Sequence, residues 1–429
     1  MKHVFFMLLL FVSAFSISFA QTLGFRGTVF SKQDSSTVPF VHVHIENLSI
    51  GVVTNYAGQF HLILPDTLSN RNVVFSCIGF KSLSLPIREF LASRDMADSI
   101  FLIPDIVMLN EVVVEAIKQD SLHEFIQRVL EKVKSNYPTD DFFSSGFFRQ
   151  ISQNGDSSSR LVEAAISIQD PGYSGKDENV RVRVDQIRKS NDYVEYSWTK
   201  SLVQVFLGSE NDLLKTYRSD FLRQSGKLIR SSSILTYNLR LDTILGTDQN
   251  QVAKIVFSTD EERNGPYFVG EIFVSLGDLA IRRMTYSWVA NPKFTFPNQE
   301  LVFFDNRLRF KIVVEYHKIN SKYYPFYITC FEPIPGVTGA KGKLQFKESS
   351  IMINEILLKR SDYDRIKRRE REFADDDIYE KARPYNKQFW ETYNMVTLNP
   401  IGPNQRFSLE KKESLDNQFE RNAKGKRRF

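Results

Sequence analysis

The chain has 429 residues, enough for two or three domains that each bury an ordinary core. Lys and Arg number 56 against 51 Asp and Glu, so the net charge of +5 is thinly spread and does not imply nucleic acid as a partner. With 36 Phe and 17 Tyr in a composition of ordinary apolar content, the chain favours half-buried pleated surfaces, and a mainly β protein is expected.

Lys2 and His3 precede an apolar run over 4–17 that closes on Ser18-Phe19-Ala20. This is the layout of a secretory signal peptide spanning 1–20, cleaved after Ala20. The run is shorter than the roughly 20 residues that span a bilayer, and no later stretch is long and uncharged enough to cross as a helix once the signal is removed. The residue immediately after the cleavage point is Gln21 and not cysteine, so lipid acylation there is not expected.

From 21 to 108 short alternating segments are punctuated by Gly, Pro, Asn and Asp, which predicts a β-sandwich of about seven strands. Val41, Val43 and Ile45 point one way while His42, His44 and Glu46 point the other. In Thr54-Asn55-Tyr56-Ala57-Gly58-Gln59-Phe60, the Asn55 side chain can bond nearby backbone and Gly58 can take a positive φ, so a turn is expected. The order Gly27-Thr28-Val29, Pro39 with Val41 and Val43, Thr54-Asn55-x-x-Gly58-x-Phe60, then Ser76-Cys77-Ile78-Gly79-Phe80 resembles the carboxypeptidase-regulatory-like domain, a transthyretin-like sandwich. Leu109-Asn110-Glu111-Val112-Val113-Val114 is similar to the strand that joins this domain to the rest of the chain in Bacteroidetes outer-membrane proteins. The family usually carries Asp where this chain has Asn55, an exchange that keeps the turn bond and drops the charge. The resemblance implies an exported envelope protein, in the periplasm or on the periplasmic side of the outer membrane.

Residues 109–139 are expected to hold the connecting strand and an amphipathic helix. Over 121–138 the apolar period changes to 3.6, with Leu122, Phe125, Ile126, Val129, Leu130 and Val133 on one face. Residues 140–360 return to strands, including runs at 252–257, 268–276, 281–288, 308–316, 323–330 and 343–346, with a short helix over 211–217. Their succession predicts a larger antiparallel meander or half-barrel. Its wording, Gly270-Glu271-Ile272-Phe273-Val274 and Lys322-Tyr323-Tyr324-Pro325 among it, resembles the open half-barrel of periplasmic lipoprotein carriers. Residues 361–429 carry charge runs that read as a partly disordered tail, although Trp390 and Tyr393 are placed to pin part of it to the fold.

No catalytic motif emerges. A metallocarboxypeptidase site needs His and Glu three residues apart, and none of His42, His44, His61, His123 or His317 has that partner. His42 and His44 share a strand face and His61 is a third imidazole that would complete a metal site if it converged. Exposed strand histidines ordinarily face water, so no metal or other cofactor is expected. Gly172-Tyr173-Ser174-Gly175 lacks the spacing of a nucleophile elbow. Cys77 and Cys330 fit either two buried thiols or a disulfide permitted by export.

Strand parity puts Ile272, Val274, Met284, Tyr286, Trp288, Ile312, Val314, Tyr316, Phe326 and Ile328 on one sheet face. That face is the candidate ligand-binding surface, with a core covered by helices as the alternative. The expected function is a non-catalytic envelope protein whose sandwich meets a protein or glycan partner. A carrier of lipid or another apolar ligand and a small outer-membrane β-barrel are the alternatives.

Overall fold

A computed structural model describes residues 22–92, 99–105, 122–154, 157–194, 212–223, 237–247, 250–259, 267–289, 309–338, 344–373, 376–396 and 408–423. The expected signal peptide, the joining strand at 109–114 and the end of the charged segment at 424–429 lie outside the described residues.

The protein is mainly β, as its aromatic content predicts. Among the described residues the N-terminal unit has seven strands: β1 (Thr22–Ser31), β2 (His42–Ile45), β3 (Gly51–Val53), β4 (Gln59–Pro65), β5 (Asn72–Ser76), β6 (Leu83–Pro86) and β7 (Ser99–Leu102), with a helix α1 (Ile87–Ala92). They form two sheets, ordered β4-β1-β7 and β3-β2-β5-β6. Period-two alternation brings Phe25, Val29, Val43, Phe60, Leu62 and Phe75 into the space between them. The turn before β4 forms as the sequence predicts: Asn55 Oδ1 accepts the N–H groups of Ala57 and Gln59 at 3.0 and 2.8 Å, and Gly58 sits at φ +73°.

The second unit is a ten-stranded antiparallel sheet. In chain order it holds β8 (Phe142–Asn154), β9 (Ser157–Asp170), β10 (Arg181–Lys189), β11 (Tyr237–Leu245), β12 (Val252–Thr259), β13 (Tyr267–Ser275), β14 (Ile281–Val289), β15 (Arg309–Ile319), β16 (Lys322–Thr338) and β17 (Leu344–Leu357). Its spatial order is β10-β9-β8-β17-β16-β15-β14-β13-β12-β11. The meander from β11 to β17 therefore finishes beside β8, which begins the sheet. Among the described residues β10 and β11 are the two edges and do not pair, so the sheet stays open and the outer-membrane barrel is not what forms.

Both faces of this sheet are covered by the chain itself. Phe147 and Phe148 are neighbours, each fully buried, and they enter different cores. Met352 likewise points away from Ile351 and Ile353. A strand buried on two sides reads as a continuous apolar run, and Ile351-Met352-Ile353 is one. On the first face lie α2 (Leu122–Glu131), α3 (Val133–Asn136) and α4 (Asp212–Arg218). They insert Phe125, Ile126, Val129, Leu213, Leu214 and Tyr217. On the second face sits the sandwich, whose core is continuous with Phe147, Tyr327 and Met352, and the Val53 N–H points at the Met352 sulfur at 3.2 Å.

Where a partly disordered tail is expected after 360, the described residues of that segment pack on the fold. It follows the β10 edge, where Arg181 donates to the Ile366 carbonyl at 2.9 Å and the Glu372 N–H to the Val182 carbonyl at 2.7 Å. It then forms α5 (Lys387–Thr392) and α6 (Leu415–Asn422). Isolated apolar residues among the charges explain the difference. Ile366, Trp390, Leu409 and Phe419 are all buried while the charged neighbours mostly face water. Tyr393 also pins the segment, donating to the Gly146 carbonyl at 2.7 Å.

Candidate functional site

The apolar face chosen from strand parity forms in most of its members. Ile272, Val274, Met284, Tyr286, Ile312, Val314, Tyr316 and Ile328 share one core. Trp288 lies on β14, with its side chain outside the described residues. Phe326 is on the opposite face. The β15–β16 register passes from Glu315 opposite Tyr327 to Tyr316 opposite Pro325, which leaves Phe326 as the extra residue of a bulge. One inserted residue reverses the facing of its side chain, and parity counting cannot see it.

The segment 212–223 fills this face. Leu213, Leu214, Tyr217, Phe221 and Leu222 enter the same core, and Tyr286 donates to the Ser219 carbonyl at 2.9 Å. Beside them lies a buried polar belt. Asp170 accepts from Tyr217 and Arg223, and Asp220 accepts from Tyr173 and Tyr316. Burial pushes the Asp220 carboxyl above its usual range although Arg223 pulls the other way. Burial also holds the hydroxyls of Tyr217 and Tyr316 well above theirs, so they stay protonated as donors. The hydroxyls are thereby spent on tying α4 to the sheet.

At the junction of the two units three imidazoles meet. Alternation puts His42 and His44 on the side of β2 that faces away from the sandwich core, and that side is the one docked on the large sheet. Their rings stack with centroids 4.2 Å apart, and His317 of β15 completes the group at 4.1 Å from His42 and 4.6 Å from His44. The Nδ1 atoms of His42 and His317 are 3.1 Å apart. Burial holds His42 and His317 well below the ordinary imidazole range and lowers His44 to about 4. All three are therefore neutral near pH 7. Phe326 lies over His42, with ring centroids 3.7 Å apart.

His61, the third imidazole suggested by the sequence, is on β4 in the other sheet, opposite Arg26 and exposed. His317 takes its place from 275 residues along the chain. The expectation that His42 faces water fails because docking of the sandwich covers it. Cys77 also lies at the junction near Arg283 and Glu315, whereas Cys330 is in the helix-covered core. The two thiols are on opposite sides of the large sheet and are free.

The outer sheet of the sandwich carries an exposed aromatic patch that sequence reading missed. Phe101 of β7 is 48 % exposed and stacks on Phe30 with centroids 5.6 Å apart, and Ile103 is also 48 % exposed.

Residues 25–114 match the family model described as the CarboxypepD_reg-like domain. The N-terminal sandwich is a domain of that kind. No curated protein matched the sequence. Among solved structures, a LolA superfamily protein from Nitrosomonas europaea is similar over 54 % of this chain and 93 % of its own, at 12 % identity and a TM-score of 0.22. A DUF1329 family protein from Desulfovibrio piger is similar over 55 % and 90 %, at 9 % identity and 0.22. MucB, in its complex with MucA, is similar over 55 % and 97 %, at 10 % identity and 0.16.

Proposed function

We propose that the chain is a non-catalytic binding or scaffold protein of the bacterial cell envelope, with the CarboxypepD_reg-like sandwich as the module that meets a protein or glycan partner. The observation that carries this reading is the division of surfaces. The four-stranded sheet of the sandwich is committed to the large sheet, while the other sheet leaves Phe101 on β7, and Ile103 just beyond its end, half exposed. Among the described residues β7 pairs with β1 alone. Exposed aromatic and aliphatic side chains beside an edge strand suit a partner that adds contacts there. The signal-like layout of 1–20 supports an exported location.

The competing carrier function would need an acyl chain to take the space held by Leu213, Leu214 and Tyr217. Two measurements separate the readings. A photo-crosslinking residue at position 101, introduced in the native envelope, is expected to give one discrete adduct that is lost in Ile103→Ser. Mass spectrometry of the purified chain is expected to find no stoichiometric lipid. A tightly held lipid, or no adduct at 101, would contradict the binding-module reading.

A further inference from the structure

We propose that His42, His44 and His317 bind one divalent transition-metal ion, Zn2+ in the first instance, which clamps the sandwich to the ten-stranded sheet. One ring nitrogen from each residue lies within 4.8 Å of the others. Zinc–imidazole bonds of about 2.0–2.1 Å in a tetrahedral set place the nitrogens about 3.3 Å apart. The His42–His317 pair, at 3.1 Å, already has that spacing, and His44, whose ring is stacked on His42 at an interplanar angle of 16°, would have to turn out of that stack to direct its lone pair at the same ion.

The donor set selects the metal class. Three imidazoles and no carboxylate suit Zn2+, Cu2+ or Ni2+ rather than the oxygen-seeking Ca2+ or Mg2+, and three protein ligands leave a fourth position for water.

Two details of the surroundings favour a ligand over a mere stack of rings. The Nδ1 atom of His44 is buried and makes no hydrogen bond among the described residues, a cost that metal coordination would remove. Gly51 stands opposite His44 on β3, where a Cβ would lie 2.7 Å from the Val43 carbonyl oxygen, 2.8 Å from His44 Cβ and 3.0 Å from His42 Nε2, so it is needed for the close backbone approach as well as for the rings. The glycine thus leaves the room that the rings occupy. Arg282 is the charged neighbour that opposes a cation, through its field at His317. His44 and His317 remain half-buried, which leaves an entry path.

Such an ion would join residue 42 to residue 317, one ligand set built from both units. Its binding free energy would then act directly on their docking. This distinguishes the site from the outer patch, which it neither uses nor requires.

The test uses the full chain without a histidine tag, stripped with chelator and titrated with ZnCl2 by calorimetry, with the bound metal counted by elemental mass spectrometry. One equivalent per chain is expected, together with a rise in melting temperature. His44→Gln and His317→Gln are each expected to weaken binding by about tenfold or more and to abolish that rise, while His61→Gln leaves both unchanged. Should His317→Gln fail to fold, His44→Gln carries the test alone, since His44 is less buried. Substoichiometric binding by the unaltered chain, or unaltered Zn2+ affinity in His44→Gln, would overturn the site.

Discussion

Asn394 pairs with Ile63 as a neighbouring strand would: its side-chain oxygen accepts the Ile63 N–H at 2.7 Å and its amide donates to the Ile63 carbonyl at 3.0 Å. Ile63 lies on β4, the edge of the outer sandwich sheet, so one side chain closes a position that a sheet edge would leave open. Asn394→Ala strips both partners at once. Urea denaturation is expected to show a loss of about 1–3 kcal/mol, and an unchanged midpoint would mean that water replaces the pair.

Glu163 is fully buried between two guanidinium groups, at 2.8 Å from Arg149 Nε and 2.6 Å from Arg188 Nε. Burial pushes its carboxyl up, but Arg188 and Arg149 outweigh it and hold the group below its ordinary 4.5. A carboxyl depressed by folding contributes stability that is complete above the ordinary value and is lost as pH falls through the folded one. Stability should therefore decline below about pH 4.5 in the unaltered chain. Glu163→Gln is expected to cost about 3–5 kcal/mol at neutral pH and to flatten that acid limb in denaturation curves taken at several pH values.

Tyr217 anchors α4 through its hydroxyl, which donates to the buried Asp170. Tyr217→Phe keeps the ring in the core and removes one donor from a carboxylate that Arg223 and the Gly172 N–H still serve. A loss of about 1–3 kcal/mol is expected by chemical denaturation. Amide exchange should also quicken over 213–218 ahead of the flanking sheet. Equal exchange in the two proteins would show that apolar contacts alone hold the helix.

Gly58 has φ +73°, and a Cβ there would lie 2.6 Å from the Val29 carbonyl oxygen. Gly58→Ala therefore combines an unfavourable backbone region with a clash against backbone that cannot rotate away. The expected cost is about 1–3 kcal/mol, read as a lowered melting temperature. A neutral result would place the turn in a different conformation.

Local rules made much of this architecture legible. The 3.6 period in 122–133 predicted α2, the turn residues Asn55 and Gly58 predicted their own geometry, and β12 to β15 fell close to their expected limits, whereas β16 and β17 run on to Thr338 and Leu357, well past the expected ends at 330 and 346. What stayed hidden depends on contacts distant in sequence. His317 joins His42 only after two units dock, His61 leaves the group because alternation specifies a face and not a sheet, and Phe326 changes sides through a single bulge. The packed segment after 360 was obscured for another reason, since a few buried residues such as Leu409 outweigh many solvated charges without altering the average composition.

The sandwich and the ten-stranded sheet share one core, with Val53 set against Met352 and the histidines enclosed between them. Hydrogen exchange followed by mass spectrometry at increasing denaturant tests it most directly. Amides of β2, β5 and β17 are expected to lose protection together, in one transition that Met352→Asp shifts for all three. A sandwich that opens at lower denaturant while β17 stays protected, with Met352→Asp altering only the sheet, would contradict it.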